Sequence, residues 1–330
     1  GLIGLEDNQI MMQWAMEAFT NPEIISNSLK YVETHNLFSN QFLHDFTRIN
    51  FFVLKKLPLL PLISKFLNPQ THGIAIQRAN TYTNKTSHYS LYTTQNYFPG
   101  EYGDQHHIFG ITLSKDLSIF HTHPAILPGE KEPFTNSPSY WVGYGHLPHS
   151  VQEKNISLSC YILPDKKAFL EKNLLNLTHL YCPKEKFSHF ILEENKLFTR
   201  YKDTFITFIG KNRLRYNKAQ REIIQEGKVT YWICEVSSAE QESFEDFIKR
   251  IKSNEVLYEN QTLTYISNHK KLSVQFRGDF LINGKLIPTQ YHRFESPFIT
   301  AERKSKEMTF KLNGKSLYLN FINQVREEKP

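Results

Sequence analysis

Apolar positions change period along this chain, and the change divides it in two. Over the first seventy residues they recur at helical spacing. Gln9–Phe19 carries Ile10, Met11, Trp14, Ala15 and Ala18 along one face. Asn21-Pro22 closes that run and opens the next, with Asn21 as cap, Pro22 in the first helical position and Glu23 in the first turn. Ile24, Ile25, Leu29 and Val32 form the second stripe. Gln41–Ile49 and Asn50–Leu67 read as further short helices, the last broken by Pro58 and Pro61. Residues 1–70 are therefore expected to be a helical segment, too small for a usual helical domain and reading as the end of a larger one.

From residue 71 onward the pattern becomes short runs of Tyr, Thr, Ile, Val and Phe between Asn, Gly, Asp and Pro. Tyr89–Thr94, His107–Leu113, Leu117–His123, Ile156–Leu163, Thr204–Gly210, Lys228–Ser237, Thr262–Ser267, Leu272–Phe276, Met308–Leu312 and Ser316–Phe321 each read as a strand. Asn283-Gly284 and Asn313-Gly314 predict type I′ hairpin turns. Glu240–Lys252 predicts one amphipathic helix. Strand after strand without alternating helices predicts an α+β chain in which a helical segment precedes a large antiparallel β-sandwich over 71–330.

Composition sharpens this picture in three places. The 330 residues include 25 Phe, 17 Tyr and 3 Trp, suiting a sheet-rich core or sugar-stacking surfaces. The net charge of +6 tolerates a polyanionic ligand without requiring one; no basic block interleaved with glycine points to nucleic acid, and Lys211–Lys218 reads as a solvated turn and strand. Cys160, Cys182 and Cys234 are odd in number and widely spaced, which suits neither a disulfide framework nor a paired zinc motif. The chain shows no signal peptide and no membrane span, since Lys55, Lys56, Pro58, Pro61 and Lys65 interrupt Phe51–Leu67. It opens on Gly, as a fragment or processed product does, so the compartment is open.

Seven of the fourteen histidines fall between His88 and His149. Imidazole titrates near neutrality, so such crowding suits proton transfer or metal ligation, with core and surface histidines as the plain alternative. On a strand His121 and His123 share a side with Leu117 and Ile119. Matching apolar sets across a three-residue turn, Ser114-Lys115-Asp116, pairs Leu113 with Leu117, Phe109 with His121 and His107 with His123. His107, His121 and His123 are then either a divalent-metal set, completed by Glu101 or Asp104, or a catalytic or ligand-binding group. The loop Pro99–Gln105 brings Tyr102 and Gln105 to this hairpin. Trp141, Tyr144 and His146, set among small glycines, offer flat rings to a sugar, a core position being the other reading of Trp141. Arg78 and Asn80 are positioned to meet a carboxylate, anchoring the domain junction being the other role for Arg78.

Arg78-Ala-Asn-Thr-Tyr82, Pro99-Gly-Glu-Tyr-Gly-Asp-Gln-His-His-Ile108, Phe120-His-Thr-His-Pro124, Tyr140-Trp-Val-Gly143 and Trp232-Ile-Cys-Glu-Val236 together resemble the rear half of heparinase II/III-like proteins. That resemblance implies the end of a helical toroid followed by a layered β-sandwich. It also implies a secreted or periplasmic protein and cleavage of uronate polysaccharides by β-elimination. In that family a His-Gly-His-like motif serves the active site. Gln105-His106-His107 falls there, which makes His107 the implied base. Here no glycine separates the histidines, no Asp follows two residues on, and Lys154-Asn155-Ile156 only echoes the family's His-Asn-Thr. The resemblance therefore implies no required cofactor, a divalent metal being an option. Tyr102 is the nearest acid and His123 a further catalytic candidate. Arg78 or Gln105 would neutralise the substrate carboxylate, and Asn80, Trp141, Tyr144 and His146 would line the sugar subsites. The expected partner is an acidic polysaccharide. Two rival classes stay open: a carbohydrate-binding or scaffold module without turnover, and a glycoside hydrolase using Glu101 and Asp104.

Overall fold

The structure, a computed structural model, describes residues 80–95, 99–103, 108–124, 145–167, 174–218, 221–289, 292, 294–302 and 305–329. The helices expected over 1–70 lie outside these residues. What is described is an antiparallel β-sandwich with further sheets attached. The first sheet runs β1 (Asn80–Lys85), β2 (Ser90–Gln95), β4 (Phe109–Ser114), β5 (Leu117–Thr122), β9 (Leu177–Tyr181), β14 (Glu222–Glu226), β13 (Leu214–Asn217). The second runs β10 (His189–Glu193), β11 (Lys196–Tyr201), β12 (Thr204–Gly210), β15 (Val229–Ser238), β8 (Ile156–Ile162), β7 (His149–Glu153).

These two sheets close on one core. Leu91, Phe109, Ile111, Ile119, Leu180 and Ile223 from the first meet Tyr161, Leu197, Ile206, Phe208, Trp232 and Cys234 from the second. Each such side chain removed from water contributes roughly 1.5–3 kcal/mol before chain entropy is counted. The indole N–H of Trp232 donates to Thr178 Oγ1 at 3.0 Å, so one polar bond also crosses between the sheets.

The second sheet is buried on its other side as well. There Leu158, Phe198, Phe205 and Ile233 meet Phe244, Phe247 and Ile251 of helix α1 (Phe244–Ser253), with Leu263, Tyr265, Leu272 and Val274. The last four belong to a third sheet, a meander of β16 (Glu255–Glu259), β17 (Thr262–Ser267), β18 (Lys270–Gln275), β19 (Phe280–Ile282) and β20 (Lys285–Leu286). Two-sided burial is why β12 reads Thr-Phe-Ile-Thr-Phe-Ile-Gly, apolar on both parities rather than alternating. The helix starts later than its apolar pattern suggests because Ser243 caps it, its hydroxyl accepting from the Asp246 N–H at 3.1 Å. Arg250 of α1 reaches the buried Glu235 of β15, which also accepts from the Tyr265 hydroxyl at 2.6 Å. This fixes helix, second sheet and third sheet to one another.

A fourth sheet, β21 (Phe294–Glu295), β22 (Ile299–Ala301), β23 (Glu307–Leu312), β24 (Lys315–Asn320) and β25 (Val325–Lys329), is again a meander. Both Asn-Gly turns form as expected, with φ of 49° and 79° at Asn283-Gly284 and 50° and 79° at Asn313-Gly314. Cys160, Cys182 and Cys234 are free and buried; burial pushes the Cys160 thiol up to about 12. A two-stranded ribbon, β3 (Tyr102–Gly103) with β6 (Gly145–His146), completes the described strands and leads to the histidines.

Candidate functional site

The β4–β5 hairpin keeps the expected register by a different turn. Ser114 pairs with Leu117 around the two-residue turn Lys115-Asp116, and Leu113 is bulged out. Ile111 then faces Ile119, and the His121 ring stacks on Phe109, centroids 4.4 Å apart and planes 9° from parallel. Trp232 covers the other side at 6.0 Å and 12°. His121 Nδ1 lies 2.8 Å from the Tyr161 hydroxyl. Buried so, with His179 nearby, His121 is held down to about 3 and stays neutral across the physiological range.

His123 sits just past the end of β5 and has both ring nitrogens engaged. Nε2 lies 2.7 Å from the Leu175 carbonyl, which can only accept, so Nε2 carries the proton. Nδ1 accepts the His146 backbone N–H at 2.8 Å, so it is bare. The ring is neutral and tied to two chain segments. His146 in turn gives its Nδ1–H to the Gly100 carbonyl at 3.0 Å. A Cβ on Gly145 would fall 1.7 Å from the His123 carbonyl oxygen, so only glycine permits this approach.

These contacts staple the loop that leads toward Gln105 and His107. Gly100 N–H donates to the Leu147 carbonyl at 2.7 Å, Leu147 N–H donates back to Glu101 at 2.8 Å, and Tyr102 pairs with His146. From the third sheet, Arg277 gives its Nε–H to the Pro99 carbonyl at 2.7 Å and pairs with the Glu101 carboxylate at 3.2 Å. His149 Nδ1 lies 3.0 Å from the Gln275 carbonyl, and burial holds that ring down to about 4. The ribbon and the third sheet thus hold one short loop, and His123 at the end of β5 reaches it through His146. His121, His123, His146 and Tyr161 enclose a cavity of about 10 Å³, room for one water molecule and for no sugar.

Of the residues singled out from sequence, the structure brings His121, His123, His146 and the backbone of Tyr102 together. Asn80 opens β1 opposite Gln95, half-buried and on the far edge of the first sheet. Arg78, Asp104, Gln105, His107, Trp141 and Tyr144 lie outside the described residues. Of the expected metal set, His107 and Asp104 lie outside the described residues; both His123 nitrogens are bound to backbone, His121 Nδ1 faces Tyr161, and among the described residues no cluster of His, Cys, Asp or Glu is arranged to hold an ion. Glu101, half of the hydrolase pair, is engaged by Arg277. Asn155 donates to the Val236 carbonyl at 2.6 Å and holds the β7–β8 turn.

Scanned against family models and against curated proteins, the chain matches none. The site's reading therefore rests on its own geometry.

Sequence reasoning missed a second polar row, on the opposite face of the first sheet. Thr122 Oγ1 lies 2.5 Å from His179 Nε2, and His179 Nδ1 lies 3.2 Å from Glu222 Oε1. Hydroxyl, imidazole and carboxylate in that order can activate a hydroxyl. Here all three are buried, so the row ties β5, β9 and β14 together across the sheet. Its only trace in the sequence is a histidine and a glutamate beside apolar residues in two five-residue strands. No helix among the described residues is long and apolar enough to cross a membrane.

Proposed function

We propose that this protein cleaves uronate-containing polysaccharides by β-elimination, with the chemistry borne by the segment Tyr102–His107. One observation carries the reading: the loop entering that segment is fixed on three sides, by the His123–His146–Gly100 chain, by Leu147 and by Arg277. Such fixing is what a reacting group needs if it is to meet its target without reorganising.

In this reading Arg78 or Gln105 neutralises the substrate carboxylate and makes C5 acidic. His107 takes the C5 proton. The electron pair forms the C4–C5 double bond as the C4–O bond breaks, and Tyr102 protonates the departing oxygen. Trp141 and Tyr144 line the sugar path. His123 and His146 act through the backbone they hold, not on the sugar, and His121 packs in the core between Phe109 and Trp232.

A second reading, a carbohydrate-binding module without turnover, draws on a specific observation. His121, His123, His146 and His149 are buried and bonded within the protein, and the cavity lined by the first three is too small for a sugar. The two readings part on one assay. The protein is incubated with a panel of uronate polymers while the ultraviolet absorbance of unsaturated uronate is followed. Elimination predicts a rise with at least one polymer. Tight binding with no rise at any pH supports the binding module instead.

A further inference from the structure

An open pocket of about 540 Å³ lies at the β10–β11 edge of the second sheet, lined by Lys186, His189, Arg200, Lys202 and Asp203, with Tyr201 between them. Three permanent cations face one carboxylate. Elsewhere the cations nearby are matched, Lys252 by Glu193 at 2.7 Å and Arg221 by Glu185 at 2.8 Å. Among the described residues no carboxylate comes within ion-pair distance of Lys186, Arg200 or Lys202.

Two of these cations are also held in place. Arg200 donates Nε–H to the Lys202 carbonyl at 2.9 Å, and its guanidinium lies 5.5 Å above the Phe205 ring. Lys202 occupies the left-handed region, φ 53°, in the two-residue turn between β11 and β12, and its ammonium lies 5.4 Å over the Tyr201 ring. Cations fixed in this way lose little freedom when an anion arrives. The volume is that of a small-ligand pocket.

We infer that this pocket is a second, non-catalytic subsite for an anionic sugar chain, taking the chain's carboxylate or sulfate groups on Lys186, Arg200 and Lys202. Three strand spacings, roughly 14 Å, separate β11 from β8 and the histidine-lined cavity. The inference rests on the acidic-polysaccharide reading above but not on turnover.

The test is calorimetric titration at low salt with two probes, an unsulfated galacturonate hexasaccharide and a sulfated hexasaccharide of the same length. The exposed pair Lys186→Glu/Lys202→Glu should weaken binding about tenfold or more. Reversal of two other exposed lysines, Lys271→Glu/Lys285→Glu, should change it less than about twofold. Preference for one probe then assigns carboxylate or sulfate. Equal loss in both double variants, or binding of neither probe, overturns the subsite. If the pocket binds while no polymer yields unsaturated product, elimination fails and the subsite stands. If product forms while the Lys186→Glu/Lys202→Glu variant binds both probes as the wild type does, the subsite fails and elimination stands.

Discussion

Thr207-Phe208-Ile209 in β12 and Thr309-Phe310-Lys311 in β23 are nearly the same words in two different sheets. Phe208 is fully buried between the two large sheets, edge-on to Phe109 at 6.0 Å. Phe310 is 37% exposed. In the fourth sheet the register gathers Phe294, Ile299, Ala301, Met308, Phe310, Leu317 and Leu319 on one face, yet only Ala301 of these is buried. Strand pairing and Asn-Gly turns build both regions equally well. What separates them is the layer on the other side, and one residue of sequence marks it: Ile209 continues the apolar run where Lys311 ends it.

The largest expected effect breaks that contrast at its strong end. Phe208→Ala should cost about 3–5 kcal/mol by leaving a cavity between the sheets. Chemical denaturation measures this as a fall in midpoint with the slope unchanged. Gly145→Ala should cost about 1–3 kcal/mol, because the new methyl meets backbone that must move. It should also slow any turnover, by shifting the loop that His146 holds.

A pH series sharpens the contrast through the buried histidines. His121 and His149 have folded values of about 3 and about 4, below the unfolded 6.5. Between pH 6.5 and about 4 the unfolded chain binds up to two more protons at these sites than the folded one, so stability falls as pH drops, by at most roughly 2.7 kcal/mol per pH unit. His121→Phe keeps a ring between Phe109 and Trp232 and should halve that slope; an unchanged slope would mean His121 titrates normally. The smallest effect is at the weak end of the comparison. Phe310→Ala should cost less than about 1 kcal/mol. A loss equal to that of Phe208→Ala would show that something covers the fourth sheet.

The sequence was most legible where local chemistry decides. Thr204–Gly210 and Thr262–Ser267 occupy the strands their pattern predicts, and both Asn-Gly turns form. Phe109 met His121 because the two apolar faces had to match, whatever the turn did. Illegible were strands whose polar residues are buried by partners distant in the chain. β9 and β14 carry His179 and Glu222, and neither is among the strands expected from the sequence. The histidines misled in a similar way. Crowding in sequence suggested reactive groups, but His123 has both nitrogens on backbone groups from two distant segments, a fact only the fold reveals. The basic pocket likewise draws Lys186 and Arg200 from separate elements.

The central claim is the proposed division of labour: the buried His123 and His146 hold the loop, His121 fills the core beside them, and His107 removes the proton. The measurement that tests it most directly is the rate of unsaturated-uronate formation by His107→Ala beside His121→Phe, each confirmed to be folded. The account predicts that His107→Ala loses turnover while binding substrate nearly as before, and that His121→Phe keeps most of its rate. Turnover that survives in His107→Ala, or vanishes only in His121→Phe, would contradict it.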